Sequence, residues 1–265
     1  MEGTLTFLGT GTSMGVPTLG CGCAVCTSTD PHDRRLRPSV LLRWNEPPGG
    51  TERVVVIDTG PDFREQALRM GLKRVDAVFY THAHADHILG MDDLRPLSFA
   101  AVHEGGPIPL FASPDTIETL EKIFDYTFSP QATYINRARV LLVPVEARNE
   151  VRGVAFDRVP VMHGEMEISG FRFGSAAYLT DVSAIPESSF ELLEGLDVVV
   201  ISALRHAPHP SHATVKQAVD WARRIGARQT FLTHIAHDLG HEETNRNLPE
   251  DVRLAYDGLS VPVKL

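Results

Sequence analysis

Three imidazoles and a carboxylate crowd into one short stretch, Thr81-His82-Ala83-His84-Ala85-Asp86-His87, directly behind the apolar run Val75-Asp76-Ala77-Val78-Phe79-Tyr80. Imidazole and carboxylate are both good ligands for a divalent cation. The chain holds 12 His among 265 residues. A chance His-x-His-x-Asp-His then has odds of about one in a thousand or two, so a merely His-rich surface loop is the weaker reading. An apolar strand that ends in four ligands requires a fold that delivers further ligands to the same place.

Composition bounds that fold. A chain of 265 residues can bury a substantial core as a single domain, 1–265. Its 43% hydrophobic and 22% charged residues suit a soluble globular enzyme. No apolar run approaches the roughly 20 residues of a membrane span. Met1-Glu2-Gly3-Thr4 leads straight into a strand pattern without a basic-then-apolar leader, so a cytoplasmic location is expected. The net charge of −9 argues against a broad nucleic-acid surface but admits an anionic substrate, because bound cations supply strong local positive charge.

Along the chain, strands are predicted at Gly3 to Leu8, Pro38 to Trp44, Arg53 to Asp58, 75–80, Ile108 to Ala112, Val154 to Met162, Phe171 to Phe173, Ala176 to Thr180, Asp197 to Ser202 and Gln229 to Thr233. Helices are predicted over Phe63 to Met70, from Asp86 with Pro96 limiting it, over Asp115 to Asp125, Ser188 to Leu193 and Val215 to Ile225. The stretch 126–150 reads as irregular, with one apolar run at Val140 to Val145. Gly9-Thr10-Gly11 through Gly15-Val16-Pro17 reads as a tight structural turn rather than a phosphate loop, since no Lys follows. Four of the strands end in ligand-type residues: His82 after Tyr80, His163 after Met162, Asp181 after Thr180 and His234 after Thr233. Strand ends meeting at one edge of packed sheets would form a multi-ligand site, and two metals are expected there.

All three cysteines, Cys21, Cys23 and Cys26, fall in a long loop at about 18–38. An odd, tight cluster is a poor disulfide framework and a good metal half-site. Arg34, Arg35 and Arg37 in the same loop could grip a phosphate, though a basic run is more often a solvated face.

The run Thr81-His82-x-His84-x-Asp86-His87 followed by His163, Asp181 and His234 resembles the metallo-β-lactamase-fold hydrolases. The resemblance spans essentially the whole chain and implies an α/β, αββα sandwich. It implies that His82, His84 and His163 hold one ion, that Asp86, His87 and His234 hold the other, and that Asp181 bridges them. Asp58 stands where that family often has a supporting acid, here expected to orient a ligand. The N-terminal turn together with Gly20-Cys21-x-Cys23-x-x-Cys26 is similar to the phosphoribosyl 1,2-cyclic phosphate phosphodiesterase (PhnP-like) subfamily. That resemblance implies a separate structural zinc on Cys21, Cys23, Cys26 and His237. It also implies a functional His some twenty residues before His234. Thr214-Val215-Lys216-Gln217 reads as a capping box, which puts His212 just ahead of a helix start, with His206 and His209 as alternatives.

These readings together point to a dinuclear metal-dependent phosphodiesterase for a small, cyclic ribose- or nucleotide-type phosphodiester. Two catalytic ions, Mn or Zn with Fe also admissible, would activate a water to attack phosphorus. Asp86 and His212 are the residues expected to take part, His212 as general acid or phosphate donor. Ribonuclease action of the tRNA 3′-end-processing type and lactone or thioester hydrolysis are the alternatives. Partners are expected to be a small molecule rather than nucleic acid or membrane, with a homodimer left open. His32, His103 and His241 receive no role.

Overall fold

The computed structural model describes residues 1–131 and 133–265; residue 132, inside the stretch expected to be irregular, lies outside the described residues. The first sheet is built from β1 (Glu2–Gly9), β2 (Ser39–Glu46), β3 (Thr51–Ile57), β4 (Ala77–Phe79), β5 (Ile108–Ala112) and β6 (Val140–Pro144). The second is built from β7 (Arg148–Val151), β8 (Val154–His163), β9 (Met166–Phe173), β10 (Ala176–Leu179), β11 (Val198–Ser202), β12 (Gln229–Thr233) and β13 (Val252–Leu254). The last strand, β14 (Ser260–Lys264), returns to the edge of the first sheet, so both sheets have seven strands.

Each sheet changes character halfway across. In the first, β14, β1, β2 and β3 pair antiparallel, and β3 through β6 pair parallel. In the second, β7 through β10 pair antiparallel, and β10 through β13 pair parallel. The parallel strands are covered on both faces and accordingly read as continuous apolar runs: all five residues of β11 are buried. The antiparallel β8 alternates buried and half-buried positions instead.

Helices cover both outer faces: α1 (Phe63–Arg69), α2 (Ala85–Ile88), α3 (Arg95–Glu104), α4 (Pro114–Ile123) and α5 (Asp125–Phe128) belong to the first half, and α6 (Glu187–Glu191), α7 (Val215–Ile225) and α8 (His241–Asn247) to the second. Three apolar cores follow. One lies between the sheets and includes Phe7, Phe79, Phe156, Phe171 and Tyr178. The others lie beneath the helices on either side, around Phe63, Ile88 and Leu94, and around Ile201, Ala218 and Leu232. This is the expected αββα sandwich.

Local chemistry explains the element ends. The capping box at Thr214 and Gln217 is present, Gly226 closes α7 with φ +69°, and Val215, Ala218, Val219 and Ala222 form its buried face. Pro96 does not limit a helix as the sequence suggested; it sits in the first turn of α3, where a missing N–H costs nothing. The stretch 126–150 holds β6 and β7, and β9 begins five residues before the expected Phe171. Among the described residues no helix is long and apolar enough to cross a membrane.

Candidate metal centre

The ligand-type residues converge where strands of both sheets end. β4 runs into Thr81 and His82, and α2 presents Asp86 and His87 one turn later. The turn after β3 straps this loop down by backbone: Thr59 N–H donates to the His87 carbonyl at 2.8 Å, and Gly90 N–H to the Thr59 carbonyl at 2.8 Å. Gly60 is required there, because a Cβ on it would lie 1.9 Å from the Asp86 carbonyl oxygen. From the second sheet, β8 ends in His163, β10 runs into Asp181, and β12 into His234.

Among the described residues, four non-glycine residues adopt positive φ: Asp58 at +65°, Asp181 at +58°, His234 at +55° and Arg152 at +50°. The first three each follow a strand end at this centre. Non-glycine residues rarely take that conformation, and such strain concentrates where function requires a particular side-chain aim.

Two groups result. One ligand atom each from His82, His84, His163 and Asp181 lie within 4.8 Å of one another, and so do those of Asp86, His87, Asp181 and His234. Asp181 belongs to both. Its Oδ2 lies 3.5 Å from His87 Nε2 and 3.9 Å from His82 Nε2, while Oδ1 lies 3.3 Å from His234 Nε2. Asp86 Oδ2 is 3.1 Å from His87 Nε2 and 3.8 Å from His234 Nε2. Every member except His84 is buried; His84 is exposed, so the centre opens to solvent on that side.

The residues fit divalent cations. His82 Nε2, His87 Nε2, His234 Nε2 and Asp86 Oδ2 are all buried without a hydrogen-bond partner, a costly arrangement unless something electrophilic sits among them. The opposite nitrogens of His87, His82 and His163 are tied down, whereas His234 Nδ1 is also buried without a partner. His87 Nδ1 lies 2.7 Å from Asp58 Oδ2, and His163 Nδ1 donates to the Ser211 carbonyl at 2.7 Å. Thr81 Oγ1 donates to Asp58 Oδ2 at 2.8 Å and lies 3.0 Å from His82 Nδ1. A proton held at Nδ1 leaves Nε2 as the donor toward the centre. Asp58 thus touches His87 and Thr81, and its own pKa is pushed up by burial against the pull of those donors.

The electrostatics agree. Burial, then the neighbouring His87, holds His82 well below the usual imidazole value. Burial would raise Asp86 and Asp181, but His87 and His234 overcome it, and both carboxylates fall below the usual range. His87 is driven upward against its burial by Asp181, Asp58 and Asp86. The carboxylates are anionic, and their pull on a positive charge at His87 is the pull a cation among them would feel.

The remaining expectations sort clearly. His212 joins the centre: its ring centroid lies 4.7 Å from His163 and 4.7 Å from His234, and its Nδ1 is buried without a partner. Burial and the neighbouring His234 lower its pKa to about 3. His209 lies behind it at 4.9 Å and is engaged with Ser211, whereas His206 stays exposed. The Ser211 carbonyl and the Thr180 hydroxyl, which donates to Asp181 Oδ1 at 2.7 Å, had no sequence signal. Two of the three arginines are engaged within the chain, and Arg34 is exposed. Arg35 is buried and bonds the carbonyls of Ala236 and Leu239 and the Asp33 carboxylate, and Arg37 pairs with Asp62.

The cysteines gather as well. Cys21, Cys23, Cys26 and His237 bring their ligand atoms within 4.8 Å, with both Cys21 and Cys23 Sγ 3.3 Å from His237 Nδ1. The Cys26 backbone N–H and the His237 ring lower the Cys23 thiol to about 6. A readily ionised thiol among three suits a closed, tetrahedral zinc site.

Comparison with known proteins places this architecture. The Beta-lactamase superfamily domain model matches residues 53–235. A solved structure described as a new diphosphatase from the PhnP family is 54% identical, covers 99% of this chain and 97% of its own, and superposes with a TM-score of 0.91. The octanoyltransferase of Porphyromonas gingivalis is 35% identical over 256 residues, 95% of this chain but 50% of that protein, so the chain spans about half the length of this curated relative. The ribonuclease Z of Mycobacterium bovis is 26% identical over 79% of this chain and 83% of its own.

Proposed function

The chain belongs to the beta-lactamase superfamily and within it to the PhnP family, and from that premise we propose that it is a metal-dependent hydrolase cleaving a small phosphodiester, with a cyclic ribose- or nucleotide-type phosphate as the leading substrate class. The observation that carries this reading is Asp181, shared by two groups of ligand atoms, among which His82 Nε2, His87 Nε2, His234 Nε2 and Asp86 Oδ2 are buried without a hydrogen-bond partner. His82, His84 and His163 would hold one ion and Asp86, His87 and His234 the other, with Asp181 between them. Manganese or zinc suits the donor set. A cation pair held by these residues would acidify water and neutralise phosphoryl oxygens.

The chain's own residues supply the rest. Asp58, Thr81 and the Ser211 carbonyl fix the ring orientations of His87, His82 and His163. His212, half-buried beside His163 and His234, would face a phosphoryl group entering from the open side at His84. With its pKa lowered to about 3, it meets the substrate as a neutral ring. That favours an N–H donated to a phosphate oxygen over proton delivery to the leaving oxygen. A net charge of −9 weighs against RNA as substrate.

A second reading, a diphosphate linkage, is favoured by the 54% identical relative described as a diphosphatase. A panel separates the two. Manganese- or zinc-loaded protein is assayed on ribose cyclic phosphates, 2′,3′-cyclic nucleotides, bis(p-nitrophenyl) phosphate, nucleoside diphosphate sugars, precursor tRNA and lactones. Fastest turnover of a cyclic or small diester is expected, and His212→Gln should lower it by about 10- to 100-fold. Turnover confined to lactones, or fastest on precursor tRNA, sinks the proposal; fastest turnover of the diphosphates selects the second reading.

A further inference from the structure

His32, His241 and Glu242 share no residue with either group above, yet one ligand-type atom from each lies within 4.8 Å of the others. His32 belongs to the loop 18–38, and His241 and Glu242 open α8. The His32 and His241 ring centroids are 4.6 Å apart with their planes tilted by 46°, and Tyr256 packs beside them at 4.2 and 5.7 Å.

Packing alone does not account for this arrangement. His241 is only 6% exposed, and its Nδ1 is buried with no hydrogen-bond partner. A packed imidazole ordinarily finds one, because an unmet buried polar atom costs about 1–3 kcal/mol. The Asp30 carboxylate lies 3.5 Å from His32 Nδ1 and also accepts the His32 backbone N–H at 2.9 Å. A carboxylate beside one ring nitrogen holds the proton there and makes the other nitrogen the metal donor, the arrangement seen at His87 and Asp58. The His241 backbone is fixed independently, its N–H donating to Asp33 Oδ1 at 2.8 Å. Burial and the nearby His32 and Arg35 lower the pKa of the His241 ring.

We propose that His32, His241 and Glu242 form a further metal site for a borderline first-row divalent ion such as zinc, with the remaining coordination position open to water. Two imidazoles and one carboxylate are a zinc donor set. Bonds of about 2.0–2.1 Å place tetrahedral ligand atoms about 3.3 Å apart. His32 is half-exposed and Glu242 exposed, so neither side chain is locked within the core. His241 lies four positions after His237, so the ion ties the second half of the loop 18–38 to the segment whose start faces the cysteines. The cysteine-rich loop is then fastened at two separate points.

Counting metal tests this. Full-length wild type, His32→Gln and Glu242→Gln are each equilibrated with zinc buffered at a micromolar free concentration, and bound zinc per chain is measured by plasma mass spectrometry. Both substitutions lie at accessible positions outside the core. Wild type is expected to hold one zinc per chain more than either variant, with the other zinc retained in all three. Copper(II) added to the zinc-loaded protein should show nitrogen coupling from two imidazoles in wild type and from one in His32→Gln. Equal zinc content in wild type and both variants overturns the proposal, as does copper coupling unchanged by His32→Gln.

Discussion

The two sheets serve one centre by different means. The first contributes His82, His84, Asp86 and His87 from a single loop after β4. The second contributes His163, Asp181 and His234 from the ends of three strands that lie far apart in sequence. The antiparallel-to-parallel switch occurs at β3 in one sheet and at β10 in the other. Each of those strands is followed by an aspartate with positive φ, Asp58 and Asp181. Equivalent positions have thus taken complementary tasks: Asp181 faces both ligand groups, while Asp58 stands behind, holding His87 and Thr81. A position in a fold dictates where a carboxylate points, and its neighbours decide what it does.

Exchanging the acids one at a time tests that division. Asp181→Asn removes the charge common to both groups and is expected to lower kcat/KM by about 10³-fold or more; steady-state kinetics with excess metal measures it. If the loss is tenfold or less, Asp181 is not the shared ligand. Asp58→Asn keeps the shape and should lower activity or metal affinity by about 10- to 100-fold, with excess metal restoring part of it. Were Asp58→Asn as damaging as Asp181→Asn, the two positions would not differ in kind.

Contacts between the halves give the next effects. Arg35, buried, carries the loop 18–38 onto the carbonyls of Ala236 and Leu239. Arg35→Met leaves Asp33 and both carbonyls uncompensated and is expected to destabilise by about 3–5 kcal/mol, read from urea midpoints.

Asp257 accepts hydrogen bonds from Thr10 and from the Leu36 backbone N–H, and its burial raises its pKa to about 6. Its folded pKa therefore exceeds its unfolded value, and the folded state binds more protons between about pH 4 and pH 6. Stability from this group falls as pH rises through that window. Urea midpoints should show this slope in wild type and a flatter one in Asp257→Asn. An identical slope in both removes Asp257 from the account.

Much of this was legible in the sequence where chemistry and chain order coincide. The first sheet's ligands announce themselves because they occupy one loop. The second sheet's ligands are single residues behind apolar runs; the shared habit of ending a strand joined them to the cluster, and only the resemblance divided them between two ions. Asp58 was placed by the same route. Other features are three-dimensional only. Ser211 orients His163 through its main-chain carbonyl, which any residue could supply. Pro96 reads as a stop until its place in the first turn of α3 is seen. β14 contains Pro262, which suits an edge strand, and pairs with residues at the opposite end of the chain. The arginine run read as a solvated face more readily than as a phosphate grip, yet Arg35 faces inward, bonded to carbonyls of a segment some two hundred residues later.

The left-handed backbone at Asp58, Asp181 and His234 has one more consequence. Glycine would adopt those angles without strain, so the side chains there are retained at a standing cost of about 1–3 kcal/mol each. Asp181→Gly should consequently melt higher than Asp181→Ala while being no more active. Side chains at these three angles trade folding stability for the aim of a ligand, so the centre holds the molecule below the stability that glycine would allow there.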